Sequence, residues 1–240
     1  MYYNSNDGEN KLQWGNFMKR LKLTDFFIGI VFTLLFLSLA VIITINFRPL
    51  YYLDVKVLHI EESSGYPKQD ILDNYNALID YSSPFFRGGL TFPTLQASES
   101  GLAHFKEVKN IFSFFYILGA FTLVLGVAIM RYKHRKKDYS YLLASSITAA
   151  ILPLFVILAV AVDFDTTFVM FHKLFFHNDD WLFNPVTDPV IKILPETFFM
   201  HCALLIIFFI ILGSIIFAIQ YFRIKKDFLI KYRKHNNLKI

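Results

Sequence analysis

Four stretches of this 240-residue chain, at 26–47, 110–130, 139–162 and 197–222, contain no Asp, Glu, Lys or Arg in their apolar interiors. Each is 21 to 26 residues long, and crossing a bilayer takes roughly 20. In hydrocarbon every backbone polar group must be satisfied internally, so each run is expected to be a helix. Hydrophobic residues make up 55% of the chain and charged residues 18%, too few charges for a water-facing surface of ordinary density. The first run lacks a small-residue cleavage site and begins too far along the chain for a signal peptide, so it reads as a permanent anchor.

Lys and Arg set the orientation. Four precede the first run (Lys11, Lys19, Arg20, Lys22), and five lie between the second and third (Arg131, Lys133, Arg135, Lys136, Lys137). Seven follow the fourth, from Arg223 to Lys239, whereas 163–196 has only Lys173 and Lys192 against six acids. The positive-inside rule therefore places residues 1–25, 131–138 and 223–240 in the cytoplasm and residues 48–109 and 163–196 outside. The net charge of +5 gathers at the ends of apolar runs, where it meets lipid headgroups, and lacks the stacked aromatics of a nucleic-acid surface.

The segment 48–109 reads as a small mixed subdomain. Leu53, Val55 and Val57 alternate with Asp54 and Lys56, which predicts a strand over 51–60. Gly65-Tyr66-Pro67 signals a turn. Ile71, Leu72, Tyr75, Leu78 and Ile79 share one face of a helix over 69–81. Residues 83–98, with Pro84, Gly88, Gly89 and Pro93, read as loop, and Ser98 or Ser100 caps a helix leading into the second run. The expected fold class is an all-α membrane protein, four transmembrane helices with a small mixed extracellular cap.

Residues 163–196 are unusually aromatic: Phe164, Phe168, Phe171, Phe175, Phe176, Trp181 and Phe183 fall within twenty residues. They fit an interfacial aromatic belt or a pocket for acyl chains. Of seven histidines, His104 shares a helix face with Val108 and Ile111 and should point inward at the water–lipid boundary. His172 lies among apolar neighbours near the same boundary. Histidines held there can exchange protons near neutral pH. His172 and His177 are five apart, off one helix face, and no Glu follows His172 in a zinc-protease pattern, so no metal site is expected. No Gly-x-Ser-x-Gly elbow is present. The lone Cys202 permits no intramolecular disulfide and reads as packing. Leu194-Pro195-Glu196-Thr197 before an apolar run imitates a sortase signal, but Phe198 stands where Gly is needed. Pro195 instead opens the fourth helix with Glu196 in its first turn.

Phe171-His172-x-x-Phe175-Phe176-x-Asn178-Asp179-x-Trp181-x-Phe183-x-Pro185, with Asp188 and Leu194-Pro195-Glu196-x-Phe198-Phe199, resembles the bacterial lipoprotein intramolecular transacylases (Lit). His104-Phe105-x-Glu107-Val108-Lys109 resembles a second signature of that family, and Asn74-Tyr75-x-x-Leu78-Ile79-x-Tyr81 a third. Asn184 departs from the pattern, which more often has Asp before this proline. The resemblance implies an enzyme of the bacterial cell membrane that needs no cofactor and acts on diacylglyceryl-modified lipoproteins among membrane lipids. Its reaction shifts the sn-2 acyl chain to the α-amino group of the N-terminal cysteine, giving the lyso form. It implies His104 and His172 as the acid–base pair, in either assignment of roles. Tyr75 and Glu107 become candidates for orienting a histidine, Arg87 for a lipid phosphate or a solvated loop, and Phe171, Phe175, Phe176 and Trp181 for the cleft wall. Two other classes compete on the residues alone: a scaffold or sensor binding a partner through its cap, and a metal-dependent membrane hydrolase.

Overall fold

A computed structural model describes residues 21–237; Lys11, Lys19, Arg20 and Lys239, counted for orientation, lie outside them. The elements are α1 (Leu23–Asn46), α2 (Arg48–Val57), α3 (Ile60–Ser64), α4 (Lys68–Ser82), α5 (Glu99–Arg135), α6 (Ser140–Val162), α7 (Phe164–Phe175), α8 (Val190–Ile193) and α9 (Glu196–Asn237). Four of them, α1, α5, α6 and α9, are long and apolar enough to cross a membrane. Their apolar runs are mostly uncovered within the chain, as expected of surfaces that meet lipid.

The strand expected over 51–60 is replaced by helix. Pro49 occupies the first turn of α2, where its fixed φ and missing N–H cost nothing. The buried face is Tyr51, Asp54 and Val55, the i, i+3, i+4 set of a helix. Leu53 and Val57, which supplied the apparent alternation, are 58% and 55% exposed. The segment 48–109 is thus helix and loop, with no strand among the described residues, and "mixed" is the wrong description of it. In α4 the predicted stripe holds, with Ile71, Tyr75 and Leu78 buried.

The chain divides into two compact units: one comprises residues up to Leu37, Ala120–Leu154 and those from Phe209 onward; the other comprises Ser38–Gly119 and Phe155–Phe208. In the first, Phe32 stacks on Tyr141 at 6.0 Å and meets Phe217 edge-on at 4.9 Å. Gly29 lets α1 approach α6 closely, since a Cβ there would lie 2.5 Å from Thr148 Oγ1. This unit also buries an ion cluster. Lys133 Nζ donates to Asp25 at 2.7 Å and to Asp138 at 2.9 Å, and the Ser140 hydroxyl lies 2.8 Å and 2.6 Å from the same two carboxylates. Burial alone would push the Asp138 carboxyl up, yet hydrogen bonds from Ser140 and Lys133 hold it below the ordinary range.

The second unit has its own core. Tyr51 and Tyr75 stack at 3.7 Å, Phe198 meets both edge-on, and the Tyr51 hydroxyl donates to the Ile193 carbonyl at 2.6 Å. Asn74, fully buried, accepts from the backbone N–H groups of Thr94 and Leu95. It thereby pins the loop that leads into α5. Asp54, 2% exposed, pairs with His201 Nδ1 at 2.9 Å and joins α2 to α9.

Candidate functional site

Two segments of the second unit bring the site together. The first is the start of α5. Ser98 caps it, accepting from the Gly101 N–H at 3.0 Å. Asp188, 3% exposed, accepts from the Ser98 N–H and hydroxyl, each at 2.8 Å, and from the Thr187 hydroxyl at 2.8 Å. Gly101 is needed for this approach, because a Cβ there would collide with the Asp188 carboxylate. One turn later α5 presents His104, 5% exposed.

The second segment is α7. Asp163 caps it through the Thr166 N–H at 3.2 Å. Its outer face shows Met170, Phe171, Leu174 and Phe175. Its inner face presents His172, 9% exposed.

The two imidazoles lie 6.0 Å apart, centroid to centroid, in a wall of rings. Phe176 meets His104 edge-on at 4.7 Å, and Phe183 does so at 5.4 Å. Trp181 stacks on His172 at 4.8 Å, Phe168 lies 4.2 Å from it and Phe171 meets it edge-on at 5.5 Å. His172 Nδ1 is 2.7 Å from the Phe168 carbonyl oxygen. A carbonyl can only accept, so Nδ1 carries the proton and Nε2 the lone pair. Burial holds this imidazole below its ordinary range, partly offset by the hydrogen bond to Phe168. Two imidazolium charges at this separation in an apolar wall would repel strongly, which favours a pair holding at most one added proton.

Only four side-chain polar atoms among the described residues are both buried and without a hydrogen-bond partner, and His104 Nδ1 and Glu107 Oε2 are two of them. Native interiors rarely leave such atoms unpaired. These two fall one turn apart on one face of α5. Glu107 Oε1 accepts from Asn178 Nδ2 at 2.9 Å.

Of the residues singled out in the sequence, His104, His172, Glu107, Phe171, Phe176 and Trp181 gather here, and Phe175 packs on Phe171 at 4.7 Å. Tyr75 lies elsewhere, stacked in the core on Tyr51. Arg87 is exposed in the loop after α4. His177 is exposed and His59 faces Glu62 at the surface. No three His, Cys, Asp or Glu side chains among the described residues converge to hold a metal ion. Sequence reasoning missed Phe168, whose carbonyl fixes the His172 tautomer; its spacing four residues before His172 was the available signal. It placed Asn178 in the family signature without giving it a partner. Asn178 Oδ1 accepts from the Asp180 N–H at 3.1 Å, and its amide donates to Glu107 at the same time.

Known proteins with this architecture bear on the assignment. The chain matches the family described as lipoprotein intramolecular transacylase Lit over residues 26–199. A structure of the membrane-integral lipoprotein intramolecular transacylase Lit from Bacillus cereus is 34% identical, with a TM-score of 0.83 over 92% of this chain and 98% of that one. The same protein with one histidine replaced by arginine gives a TM-score of 0.78 at 33% identity, covering 94% of this chain and 96% of that one. With the histidine replaced by alanine the TM-score is 0.77 at 34% identity, covering 92% and 96%. No curated protein matches. The match to most of the chain, and the likeness over nearly the whole of the Bacillus cereus protein, place this chain in the Lit family of lipoprotein intramolecular transacylases.

Proposed function

We propose that this chain moves the sn-2 acyl chain of a diacylglyceryl lipoprotein onto the α-amino group of its N-terminal cysteine, producing the lyso form by histidine acid–base catalysis. The observation that carries the reading is the buried pair His104 and His172, 6.0 Å apart within an aromatic wall.

The chemistry is an aminolysis of an ester within one molecule. The amine nitrogen forms a bond to the sn-2 carbonyl carbon, and the carbonyl oxygen becomes an oxyanion. The bond from carbon to the sn-2 oxygen then breaks. His172 Nε2, with its lone pair free, takes the proton from the attacking amine and hands it to the departing sn-2 oxygen. His104, as a neutral ring, donates a hydrogen bond to the oxyanion. Nucleophile, ester and product stay in one molecule, so no acyl-enzyme is required. Positioned acid–base groups contribute typically 10²–10⁴-fold, and holding amine and ester together supplies several kcal/mol more.

Phe171, Phe175 and Phe176 fit acyl chains, and Trp181 holds the His172 ring in place. The exposed apolar face of α7 faces lipid in this reading, and substrate enters from the bilayer. The distribution of Lys and Arg supports a bacterial cell membrane protein with both termini cytoplasmic and the site at the extracellular face. Diacylglyceryl-modified lipoproteins and membrane lipids are the partners.

The test is tandem mass spectrometry of a diacylglyceryl lipopeptide incubated with the protein, with no donor lipid added. Intact mass is unchanged by an internal shift, so the fragments report it. An acyl chain appearing on the N-terminal cysteine fragment supports the reading. Unchanged fragments, under conditions where the Bacillus cereus protein works, would refute it.

A further inference from the structure

Glu107 stands three residues after His104 on the same face of α5. One carboxylate oxygen, Oε1, accepts from Asn178 Nδ2 at 2.9 Å. The other, Oε2, is shielded from solvent and unpartnered. Asn178 is itself held at every polar atom of its amide and carbonyl. Its Oδ1 accepts from the Asp180 N–H at 3.1 Å, and its backbone carbonyl accepts from the Trp181 indole N–H at 3.1 Å. Trp181 stacks on His172. Contacts thus run from His104 to His172, Trp181, Asn178 and Glu107, and return along α5 to His104.

The circuit fixes one face of the carboxylate and leaves the other without a donor. No Lys or Arg pairs with Glu107 among the described residues. Lys106 and Lys173 are both exposed, and neither forms an ion pair with it. Lys109 is engaged with the Phe86 carbonyl at 2.9 Å and with the Tyr81 ring at 4.5 Å. A shielded carboxylate oxygen one turn from His104, whose ring lies 6.0 Å from that of His172, calls for a cation that donates hydrogen bonds in several directions. An ammonium group does so; a quaternary amine or a sugar hydroxyl does not.

We propose that Glu107 Oε2 receives the α-ammonium group of the substrate's N-terminal cysteine, so that a free amino terminus is required for binding as well as for reaction. This rests on the transacylase reading. A free α-amine has a pKa of about 7.7 to 8.0 and arrives mostly protonated at neutral pH. Glu107 takes one N–H and directs another at His172 Nε2. The ammonium's extra proton passes through His172 to water. A second N–H proton travels by the same nitrogen to the sn-2 oxygen as the amide forms. The product nitrogen carries no charge, so the contact that favoured substrate is lost on turnover and the lyso product is released.

The experiment uses two lipopeptides with an sn-2 ether in place of the ester, which cannot transfer a chain. One has a free α-amine and the other is its desamino analogue. Each displaces a fluorescent lipopeptide from the full chain in detergent. At about pH 6.5, where the amine is charged, the amine form should bind wild type at least tenfold more tightly, the scale of a charged hydrogen bond. E107Q should bring the ratio close to one without weakening the desamino form. In wild type the preference should also fade as pH rises to about 9.5, above the amine pKa, which needs no variant to fold. A ratio near one in wild type, a preference kept in E107Q, or a preference unchanged at high pH overturns the proposal. Failure of the transacylase reading is seen separately, as unchanged fragments from the ester-linked peptide in wild type.

Discussion

The indole of Trp181 lies nearly parallel to the imidazole of His172, 28° between planes and 4.8 Å between centroids, while its N–H donates to the Asn178 carbonyl at 3.1 Å. The ring is therefore held from both ends, and it fixes the plane in which His172 Nε2 points. Trp181→Phe keeps the stack and should cost only a few-fold in kcat/KM. Trp181→Ala removes an aromatic pair worth about 0.5–1.5 kcal/mol and should cost about tenfold. Equal activity in both variants would show that ring orientation is set elsewhere.

Replacing either histidine should remove the reaction without removing the protein. His104→Ala and His172→Ala are expected to lower turnover by about 10²–10⁴-fold or more. Volume-conserving His→Asn variants should behave alike, which separates chemistry from packing. Expression and melting temperature are the controls, and fragment mass spectra the readout.

The pH profile should reflect the lowered His172 value. As pH falls the imidazole gains a proton and loses its lone pair. Burial lowers its folded-state value, so the acid limb of kcat/KM should lie below the ordinary imidazole value of about 6.5. The linked stability change has a definite sign. The neutral ring's contribution to stability is full above the unfolded value of about 6.5 and is lost as pH falls through the lower folded value. An acid limb above about pH 6.5 contradicts the assignment of His172 as base.

Asp188 holds Ser98 at the start of α5, the helix that bears His104. Asp188→Ala strips the acceptor from the Ser98 N–H and hydroxyl, and leaving such a group unpaired costs about 1–3 kcal/mol. Gly101→Ala drives a Cβ into the same carboxylate. Both should lower melting temperature and kcat together, whereas Ser100→Ala should do neither.

The buried cluster around Lys133 should show the asymmetry of buried charge. Lys133→Met leaves Asp25 and Asp138 with only the half-exposed Lys22 ammonium, 3.8 Å from Asp138, and should destabilise by about 3–5 kcal/mol. Adding Asp25→Asn and Asp138→Asn should recover most of that loss. Thermal unfolding in detergent measures both, and catalytic rate in the surviving folded fraction should be unchanged.

The long apolar helices were legible because a run of 21 to 26 residues that shuns charge throughout suits the interior of a bilayer and little else. The helix α2 was not, since Leu53, Val55 and Val57 imitate alternation while Tyr51, Asp54 and Val55 form the buried face. Pro49, suited to the first turn of a helix, is the sequence feature that opposes a strand there. The pairing of His104 with His172 was legible through resemblance to a family, never through local pattern, because the two are 68 residues apart. Tyr75 drew attention as a histidine partner, yet a second tyrosine, Tyr51, claims its ring. Lys133 was counted for orientation, and nothing nearby in sequence told that its ammonium turns inward to Asp25, 108 residues away.

Ser98 and Asp188 are 90 residues apart, so biosynthesis has an order. A ribosome adding about 5–20 residues per second completes Ser98 roughly 5 to 20 seconds before it reaches the carboxylate that clamps it. His104 and His172 are both made before that moment. A nascent chain, or one truncated ahead of residue 188, therefore carries both imidazoles while the first turn of α5, the helix that bears His104, is still unlocked. The enzyme is armed late, when most of its length has already left the ribosome.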